Sequence, residues 1–264
     1  MAYHDVLYDA RDGVAWITIN RPEVLNAFRA RTVDELVDAF RTAERDPDVG
    51  VVVLTGTGER AFSTGGDQRE RDAGGYGSGG GIGLDMHGLH GIIRAIPKPV
   101  IAMVNGYAIG GGHVLHVLCD LTIAANTAVF GQVGPRVGSV DPGFGTAYLA
   151  RLVGEKKARE IWYLCRRYSA AEALAMGLVN AVVPTAELRA ETERWCRELL
   201  EKSPTALRLA KESFNADTEH IGGITALGFS ALELYYQSRE ALEGRNAFLE
   251  KRPPRFREAL KKKP

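Results

Sequence analysis

The stretch that decides the fold is GYAIGGGHVLHVLCD, from Gly106 to Asp120, in which three consecutive glycines open an amphipathic apolar run. A second small-residue turn, FSTGGD, lies upstream at residues 62–67, and each turn follows a β-like run and precedes a helical pattern. One such turn is more often a sign of tight helix-to-strand packing, but a pair can aim main-chain N–H groups and helix dipoles at one point. The two turns therefore predict a site for an oxyanion, with Gly66 and Gly111 as the donors.

The charge balance excludes several kinds of partner. Lys plus Arg and Asp plus Glu each total 33 in 264 residues, so no net field attracts nucleic acid or an anionic membrane surface. The dense basic run Lys261–Lys263 is typical of a solvated tail. We therefore expect neither a nucleic-acid partner nor a membrane partner.

The three cysteines point to a reducing compartment. Cys119, Cys165 and Cys196 are scattered through apolar patterns, which predicts reduced core thiols and no disulfide framework. No apolar stretch approaches the ~18 residues of a membrane span, and the N-terminus lacks the apolar segment of a signal peptide. We expect a cytoplasmic protein, and the chain shows neither metal-ligand spacing nor a strand-linked GxGxxG dinucleotide motif.

The pattern along the chain is strands alternating with helices, followed by helices alone. Short β-branched runs predict strands at residues 14–20, 50–55, 100–104, 121–124 and 179–183, and helical spacing begins between the first two at residues 32–44. That alternation indicates βαβ units and an α/β fold. After Thr185 the pattern predicts helices over residues 187–202, 205–214 and 225–243, the second with Ser203 as cap. The predicted boundary lies near Lys202, with a core over residues 1–202 and a helical region over 203–264.

A glycine-rich segment, DAGGYGSGGGIG at residues 72–83, follows the first glycine turn. So many glycines cannot fix a main-chain conformation, so the segment is either a plain linker or a flap beside the site. Tyr76 within it is either a contact to substrate or incidental.

Three motifs, in order, resemble those of the crotonase superfamily, also called the enoyl-CoA hydratase family: NRPEVLNAF at residues 20–28, FSTGGD, and NGYAIGGGHVLHVLCDLTIAA at residues 105–125. The resemblance covers residues 8–256. It implies a ClpP-like ββα spiral core, a helical C-terminal trimerisation region and a homotrimer or homohexamer. It also implies an acyl-CoA substrate, no tightly bound cofactor, and a thioester enolate held by Gly66 and Gly111.

The hydratases that name the family use two glutamates, and this chain has Val114 and Gly134 at those positions. Neither residue can transfer a proton, so hydration by the familiar mechanism is excluded. Where synthases of this family have glycine at the second position, a bound bicarbonate acts as base. The resemblance therefore leaves open a bicarbonate near Gly134.

Ser139 and Asp141 follow, two residues apart in GSVDPG at residues 138–143. In an extended segment both side chains address one face, although such residues are also typical of a cap for the helix predicted near Phe144. The segment resembles the GSFD motif of the 1,4-dihydroxy-2-naphthoyl-CoA synthases, where the serine and aspartate serve the active site. EKKAREIWYLCRRY at residues 155–168 also resembles that subgroup.

Two details are more similar to the 2-ketocyclohexanecarboxyl-CoA hydrolases: GSVDPG itself and GLDMHGLHGIIR at residues 83–94. These imply that Val140 and Pro142 shape a pocket for a saturated ring, and that Asp141 and Ser139 activate and orient water at the ring ketone. Tyr236, in LYYQ at residues 234–237, resembles the family's C-terminal catalytic tyrosine, which would polarise the ketone or protonate the enolate carbon. The hydrolase would open the ring by retro-Claisen cleavage to pimeloyl-CoA. The synthase, the alternative, would close a ring from 2-succinylbenzoyl-CoA. A non-catalytic binding protein is a further alternative, against which the neutral charge and intact site residues argue.

The resemblance also implies the residues that bind coenzyme A. Val24, Leu25 and Ala27 would surround the adenine and pantetheine, with Arg69 near the phosphates and Asp67 and Gln68 bordering the tunnel. Phe248 and Lys251 would come from a neighbouring subunit. His113 and His116 lie in an apolar helical run, so we interpret them as buried packing residues.

Overall fold

The computed structural model describes residues 3–72, 75–76, 82–141 and 143–261. Within them the strands are β1 (Val6–Arg11), β2 (Val14–Ile19), β3 (Val51–Gly56), β4 (Ala61–Ser63), β5 (Val100–Val104), β6 (Tyr107–Ile109), β7 (Leu121–Ala125), β8 (Val129–Gly131), β9 (Tyr168–Ser169) and β10 (Ala181–Val183). The helices are α1 (Ala30–Arg45), α2 (Met86–Ala95), α3 (Gly111–Leu118), α4 (Gly134–Val137), α5 (Ala147–Val153), α6 (Glu155–Leu164), α7 (Ala170–Ala175), α8 (Leu188–Leu200), α9 (Pro204–Ala216), α10 (Glu219–Tyr236), α11 (Arg239–Leu249) and α12 (Phe256–Lys261).

The larger sheet has the order β1-β2-β3-β5-β7-β10. The edge strand β1 pairs antiparallel with β2, and all other neighbouring strands of this sheet pair in parallel. The central strands β3 and β5 are buried along their whole length because both faces of the sheet are covered. Along β2, Ile17 and Ile19 face one apolar cluster, whereas Val14 and Trp16 face the other, which includes residues of α8. The α/β prediction is confirmed.

The smaller sheet positions the site. Its order is β4-β6-β8-β9, and β4, β6 and β8 run parallel. Because β4 and β6 are parallel neighbours, the turns that follow them emerge at the same edge of the sheet. These turns are the two glycine turns of the sequence. The short strands themselves, two or three residues each, give no clear period in the sequence.

The C-terminal region is helical from α8 onward, as predicted, but one helix differs. The expected helix over residues 225–243 is instead two helices, because Ser238 accepts a hydrogen bond from the Ala241 N–H at 3.1 Å and begins α11. The start of α10 was also missed, since Gly222 and Gly223 disfavour a helix by themselves. Burial of Ile221 there outweighs that preference. The boundary at residues 202/203 stays a prediction.

Among the described residues, no helix combines the length and apolar character needed to cross a bilayer.

Two of the three cysteines are core thiols, as predicted. Cys119 and Cys196 are buried free thiols, and burial raises the pKa of both. Cys165 is only partly buried, so its prediction as a core thiol is wrong: it follows the last turn of α6.

Candidate active site

The two glycine turns contact each other. Gly65 has a φ of +82°, and a Cβ placed on it would lie 2.8 Å from the main-chain nitrogen of Gly111, so no side chain fits between the turns. Phe28 holds the first turn, because its N–H donates to Gly65 O at 2.8 Å and its carbonyl accepts from Asp67 N at 2.8 Å. Packing therefore fixes the main chain on both sides of Gly66.

The amides of Gly66 and Gly111 are available to a ligand. In the part of the chain that the structure describes, neither nitrogen donates to a main-chain acceptor. Gly111 is the first residue of α3, where N–H groups have no partner within the helix. Both glycines line one cavity of about 1300 Å³. The arrangement matches the predicted pair of donors, and their role stays a prediction.

All of the residues assigned to catalysis or to coenzyme A line this same cavity. They are Val24, Leu25, Ala27, Gly66, Asp67, Gln68, Arg69, Tyr76, Gly111, Gly134, Ser139, Asp141, Tyr236, Phe248 and Lys251. In the single chain, Phe248 and Lys251 reach this cavity from the same chain, because α10 and α11 also contribute to its lining. A contribution from a neighbouring subunit stays a prediction.

Two tyrosines meet inside the cavity. Tyr236, near the end of α10, is buried, and its hydroxyl lies 2.9 Å from Ser139 Oγ. Tyr76 packs edge-on against it with ring centroids 6.4 Å apart. The Tyr76 hydroxyl accepts from Gln68 Nε2 at 3.1 Å and lies directly over the Cα of Gly66. Tyr76 is thus a residue that reaches into the site, whereas residues 73–74 and 77–81 of its glycine-rich segment lie outside the described residues.

Asp141 is half-buried beside Ser139, and its Oδ1 accepts from the Gly145 N–H at 3.3 Å. Asp141 therefore makes the local main-chain hydrogen bond expected of a cap, and it also lines the cavity. Burial raises the pKa of Asp141 to about 7, and the Gly145 hydrogen bond opposes that rise. A carboxyl group with such a pKa exchanges protons near neutral pH. Val140 lines the cavity beside it, and Pro142 lies outside the described residues.

Asp141 approaches Val114, one of the positions at which the hydratases have glutamate. A Cβ placed on Gly145 would lie 3.0 Å from Asp141 Oδ1 and 3.1 Å from Val114 Cγ2, so both side chains lie next to Gly145. The other glutamate position is closed. A Cβ on Gly134 would lie 2.6 Å from Ser139 O and 2.8 Å from the Trp162 ring.

The charged rim of the cavity is ordered by ion pairs. Asp67 is buried and accepts from Arg69 Nη2 at 2.7 Å and from Arg21 Nη2 at 3.3 Å. Burial acts to raise the pKa of Asp67, but hydrogen bonds from Arg69 outweigh it and the net shift is downward. The Arg69 side chain is 59% exposed, so it remains open to an anion in solvent.

An apolar group of side chains surrounds the two tyrosines. Phe229 and Leu232 precede Tyr236 on one face of α10. The main-chain oxygen of Ile82 accepts from Tyr76 N at 2.8 Å. The apolar side chains of this end of the cavity are Ile82, Leu84, Met86, Phe229 and Leu232. We call it the acyl pocket. Sequence reasoning found part of it through the GLDMHGLHGIIR motif and missed the residues of α10.

The two histidines of α3 are buried, as interpreted from the sequence. His113 Nδ1 lies 3.3 Å from Gln132 Nε2, and His116 Nδ1 lies 3.3 Å from Thr122 Oγ1. Burial lowers the pKa of both rings, His113 to about 3, which keeps them neutral. Gln132 lines the cavity and was not identified from the sequence.

Comparison with known proteins agrees with this architecture. The enoyl-CoA hydratase/isomerase family model matches residues 9–259. A solved structure of an enoyl-CoA hydratase from Mycobacterium avium subsp. paratuberculosis K-10 is 33% identical, with a TM-score of 0.87, over 97% of this chain and 99% of that one. An enoyl-CoA hydratase from Bacillus anthracis is 32% identical, with a TM-score of 0.73, over 96% and 99%.

Proposed function

The chain belongs to the enoyl-CoA hydratase/isomerase family, and we propose that it opens the ring of 2-ketocyclohexanecarboxyl-CoA by hydrolysis to give pimeloyl-CoA. One observation carries the proposal. Asp141, whose pKa is raised to about 7, lies with Val114 beside Gly145. It is two residues from Ser139, whose hydroxyl contacts that of Tyr236. In this proposal the base is the loop residue Asp141, and the two positions that hold glutamate in the hydratases have no role in proton transfer.

The proposed reaction assigns one step to each group of this site. Asp141 takes a proton from water, and the hydroxide formed adds to the ring ketone, whose oxygen accepts a hydrogen bond from Ser139 or Tyr236. The bond between the ketone carbon and the α-carbon then breaks, and its electron pair becomes the thioester enolate. The Gly66 and Gly111 N–H groups hold the enolate oxygen. Tyr236 donates its proton to the α-carbon, and the proton on Asp141 restores Tyr236. The former ketone carbon becomes the terminal carboxyl group of pimeloyl-CoA and stays joined to the thioester through the opened ring.

The apolar lining of the acyl pocket supports the neutral ring of the hydrolase substrate. The synthase substrate 2-succinylbenzoyl-CoA carries a free carboxylate on its ring, whereas the ring ketone is neutral. Burying a carboxylate among apolar side chains is costly unless it is paired. The apolar lining of Ile82, Leu84, Met86, Phe229 and Leu232 therefore supports the neutral ring.

Bicarbonate takes no step in this proposal. A base bound in place of the missing glutamate would need room beside Gly134, where the Ser139 carbonyl and the Trp162 ring fill the direction of a side chain. The Trp162 indole N–H is also engaged, because it donates to Gly145 O. The proposal therefore assigns the role of base to Asp141 and needs no ion beside Gly134.

We further propose that the chain forms a trimer or a pair of trimers through its C-terminal helices. Phe214 of α9 and Leu227 and Leu234 of α10 are 78%, 74% and 71% exposed in the single chain. Large apolar side chains left this exposed on neighbouring helices of the chain are typical of a surface that a second copy covers.

The deciding experiment is mass spectrometry of the coenzyme A products. The protein is incubated separately with 2-ketocyclohexanecarboxyl-CoA, 2-succinylbenzoyl-CoA and crotonyl-CoA. We expect a product heavier by one water, pimeloyl-CoA, from the first alone. Naphthoyl-CoA from the second, with no ring opening of the first, would replace the hydrolase with the synthase, and no turnover of any would favour a binding protein.

A further inference from the structure

Arg71 is an unusual core residue. It is 1% exposed and is among the largest fully buried side chains of the described residues. Its guanidinium donates to Val137 O at 3.0 Å, Gly138 O at 3.1 Å and Ala241 O at 2.9 Å. These three acceptors are main-chain carbonyls, which carry no full charge, so the positive charge of Arg71 still acts on its surroundings.

The side chain joins the parts of the site that are far apart in sequence. Arg71 follows the Gly66 turn, Val137 and Gly138 lead directly to Ser139, and Ala241 lies in the first turn of α11. Hydrogen bonds from one guanidinium therefore hold the Ser139 segment against the C-terminal helices.

Two glycines make this contact close. Gly138 has a φ of +67°, and a Cβ on it would lie 2.7 Å from Ala241 O. A Cβ on Gly244 would contact the Gly138 nitrogen directly. The main chains thus pack without intervening side chains, and Arg71 supplies the polar bonds of this junction.

The same guanidinium lies over the ring of Tyr236, 4.9 Å from its centroid. A cation at this distance in a dry site interacts strongly with the ring and favours negative charge on its oxygen. Burial raises the pKa of Tyr236, whereas the hydrogen bond with Ser139 and the charge of Arg71 act in the opposite direction. Arg71 therefore offsets part of the cost of placing this phenol away from water.

We propose that Arg71 is a positioning residue for proton donation by Tyr236. It fixes the Ser139 hydroxyl against the Tyr236 hydroxyl, and it stabilises the negative charge that forms on the Tyr236 oxygen as the proton passes to the substrate carbon. This inference rests on the role of Tyr236 in the proposed function.

The test compares two substitutions at Arg71. Arg71→Met removes charge and donors, and Arg71→Lys keeps the charge with fewer directed bonds. With the thioester that the product assay identifies, we expect kcat to fall by at least ~10²-fold in Arg71→Met and by about tenfold in Arg71→Lys, since a positioned proton donor contributes that much. KM should stay close to wild type, and the solvent deuterium isotope effect on kcat should rise as proton transfer becomes slower than the other steps.

Arg94 offers a matched control. It also stacks on aromatic rings, 5.0 Å from the Phe144 centroid and 4.8 Å from that of Tyr148, and it donates to Thr218 at 2.7 Å, but it does not line the active cavity. Arg94→Met should lower the unfolding temperature while kcat and the isotope effect stay unchanged. Equal losses of kcat in Arg71→Met and Arg94→Met would show a general structural effect and overturn the proposal.

Two further outcomes are decisive. If Arg71→Met does not fold, Arg71→Lys alone decides: wild-type kcat with a wild-type isotope effect contradicts the proposal. Tyr236→Phe separates the inference from its premise. An active Tyr236→Phe removes the proposed function, whereas an inactive Tyr236→Phe beside a fully active Arg71→Met removes only the role of Arg71.

Discussion

The Ser139 Oγ lies 2.9 Å from the Tyr236 hydroxyl oxygen, although the two residues are 97 positions apart. Ser139 belongs to a core loop and Tyr236 to the last turn of α10. The site is therefore complete only when the C-terminal helices are docked on the core. A hydrogen bond between two hydroxyls lets one orient the other toward a substrate oxygen or carbon.

The first prediction concerns this pair. If Ser139 acts by orienting Tyr236, the variants Ser139→Ala and Tyr236→Phe should each lower kcat, and the double variant should be little worse than Tyr236→Phe. Coupled residues are non-additive, with interaction energies of about 0.5–3 kcal/mol. The measurement is a double-mutant cycle on kcat, and losses that multiply would separate the roles of the two residues.

The second prediction concerns the amide of Gly111. Proline is sterically allowed at the first position of a helix but has no N–H. A Cβ there would lie 2.6 Å from the Phe28 ring, so substitution also brings a contact that Gly111→Ala shares. Relative to Gly111→Ala, we expect Gly111→Pro to lower kcat by ~10²-fold or more while coenzyme A binding survives. Equal activities of the two folded variants would remove Gly111 from the oxyanion hole.

Gly66→Pro tests the other donor in the same way. Its control, Gly66→Ala, shares the contact that a Cβ would make with the Tyr76 hydroxyl. We expect the proline variant to be slower by a similar factor, because the two N–H groups act on one oxygen. The readout is kcat of each variant beside the thermal unfolding curve that shows it is folded.

The third prediction is that crotonyl-CoA is not hydrated at the ~1–10³ s⁻¹ typical of efficient enzymes, because Val114 and Gly134 cannot move protons. The structure adds that Gly134→Glu should not create hydratase activity, since the direction of its side chain is closed by Ser139 O at 2.6 Å and Trp162 at 2.8 Å. Hydration monitored by loss of the enoyl absorbance checks both statements. Efficient hydration by the wild type would mean that these positions are wrongly aligned.

The fourth prediction concerns assembly. Leu227, 74% exposed on α10, should lie in the interface between copies, so Leu227→Lys should dissociate the trimer. Leu164→Lys, at a residue 55% exposed at the end of α6, is the matched control and should leave the assembly intact. Light scattering at working concentration measures both. A monomeric wild-type chain would contradict the proposed trimer.

The positions of the predicted site residues were readable from the sequence because they follow strand ends. Gly66 and Gly111 come directly after short buried strands, and parallel neighbours bring such turns to one edge of a sheet. Ser139 and Asp141 were found by their spacing and by resemblance. Their placement on one cavity therefore needed little tertiary information.

The rest of the site depends on tertiary packing. Arg71 lies in the charged run Arg69–Asp72, which by itself indicates a solvated surface, and only the fold reveals its burial against main-chain carbonyls. Phe248 and Lys251 could be assigned to the cavity but not to a chain, because nothing in the sequence tells whether a C-terminal helix folds back or crosses to a neighbour. The end of α10 was likewise hidden, since the signal for it is a single capping serine.

The last prediction follows from the raised pKa of Asp141. Asp141 must be ionised to take a proton from water, so kcat/KM should fall as the pH drops below about 7, the pKa to which burial raises this carboxyl. Asp141→Asn should nearly abolish ring opening while substrate binding stays close to normal, because a neutral amide cannot accept that proton and its oxygen can still accept from Gly145 N.

The free energy of unfolding should fall as the pH rises, whereas kcat/KM should rise. In the unfolded chain the carboxyl ionises at its ordinary pKa of 3.8, whereas in the folded protein it keeps its proton up to about pH 7. Between these values the folded state binds more protons, so ionisation of Asp141 lowers the free energy of unfolding as the pH rises through this window, and the full loss is present above pH 7. Asp141→Asn removes that loss. Urea unfolding at pH 5 and pH 8 should therefore find the variant more stable than wild type by a larger margin at pH 8, and an equal margin at both would show that Asp141 is not held in a raised-pKa environment.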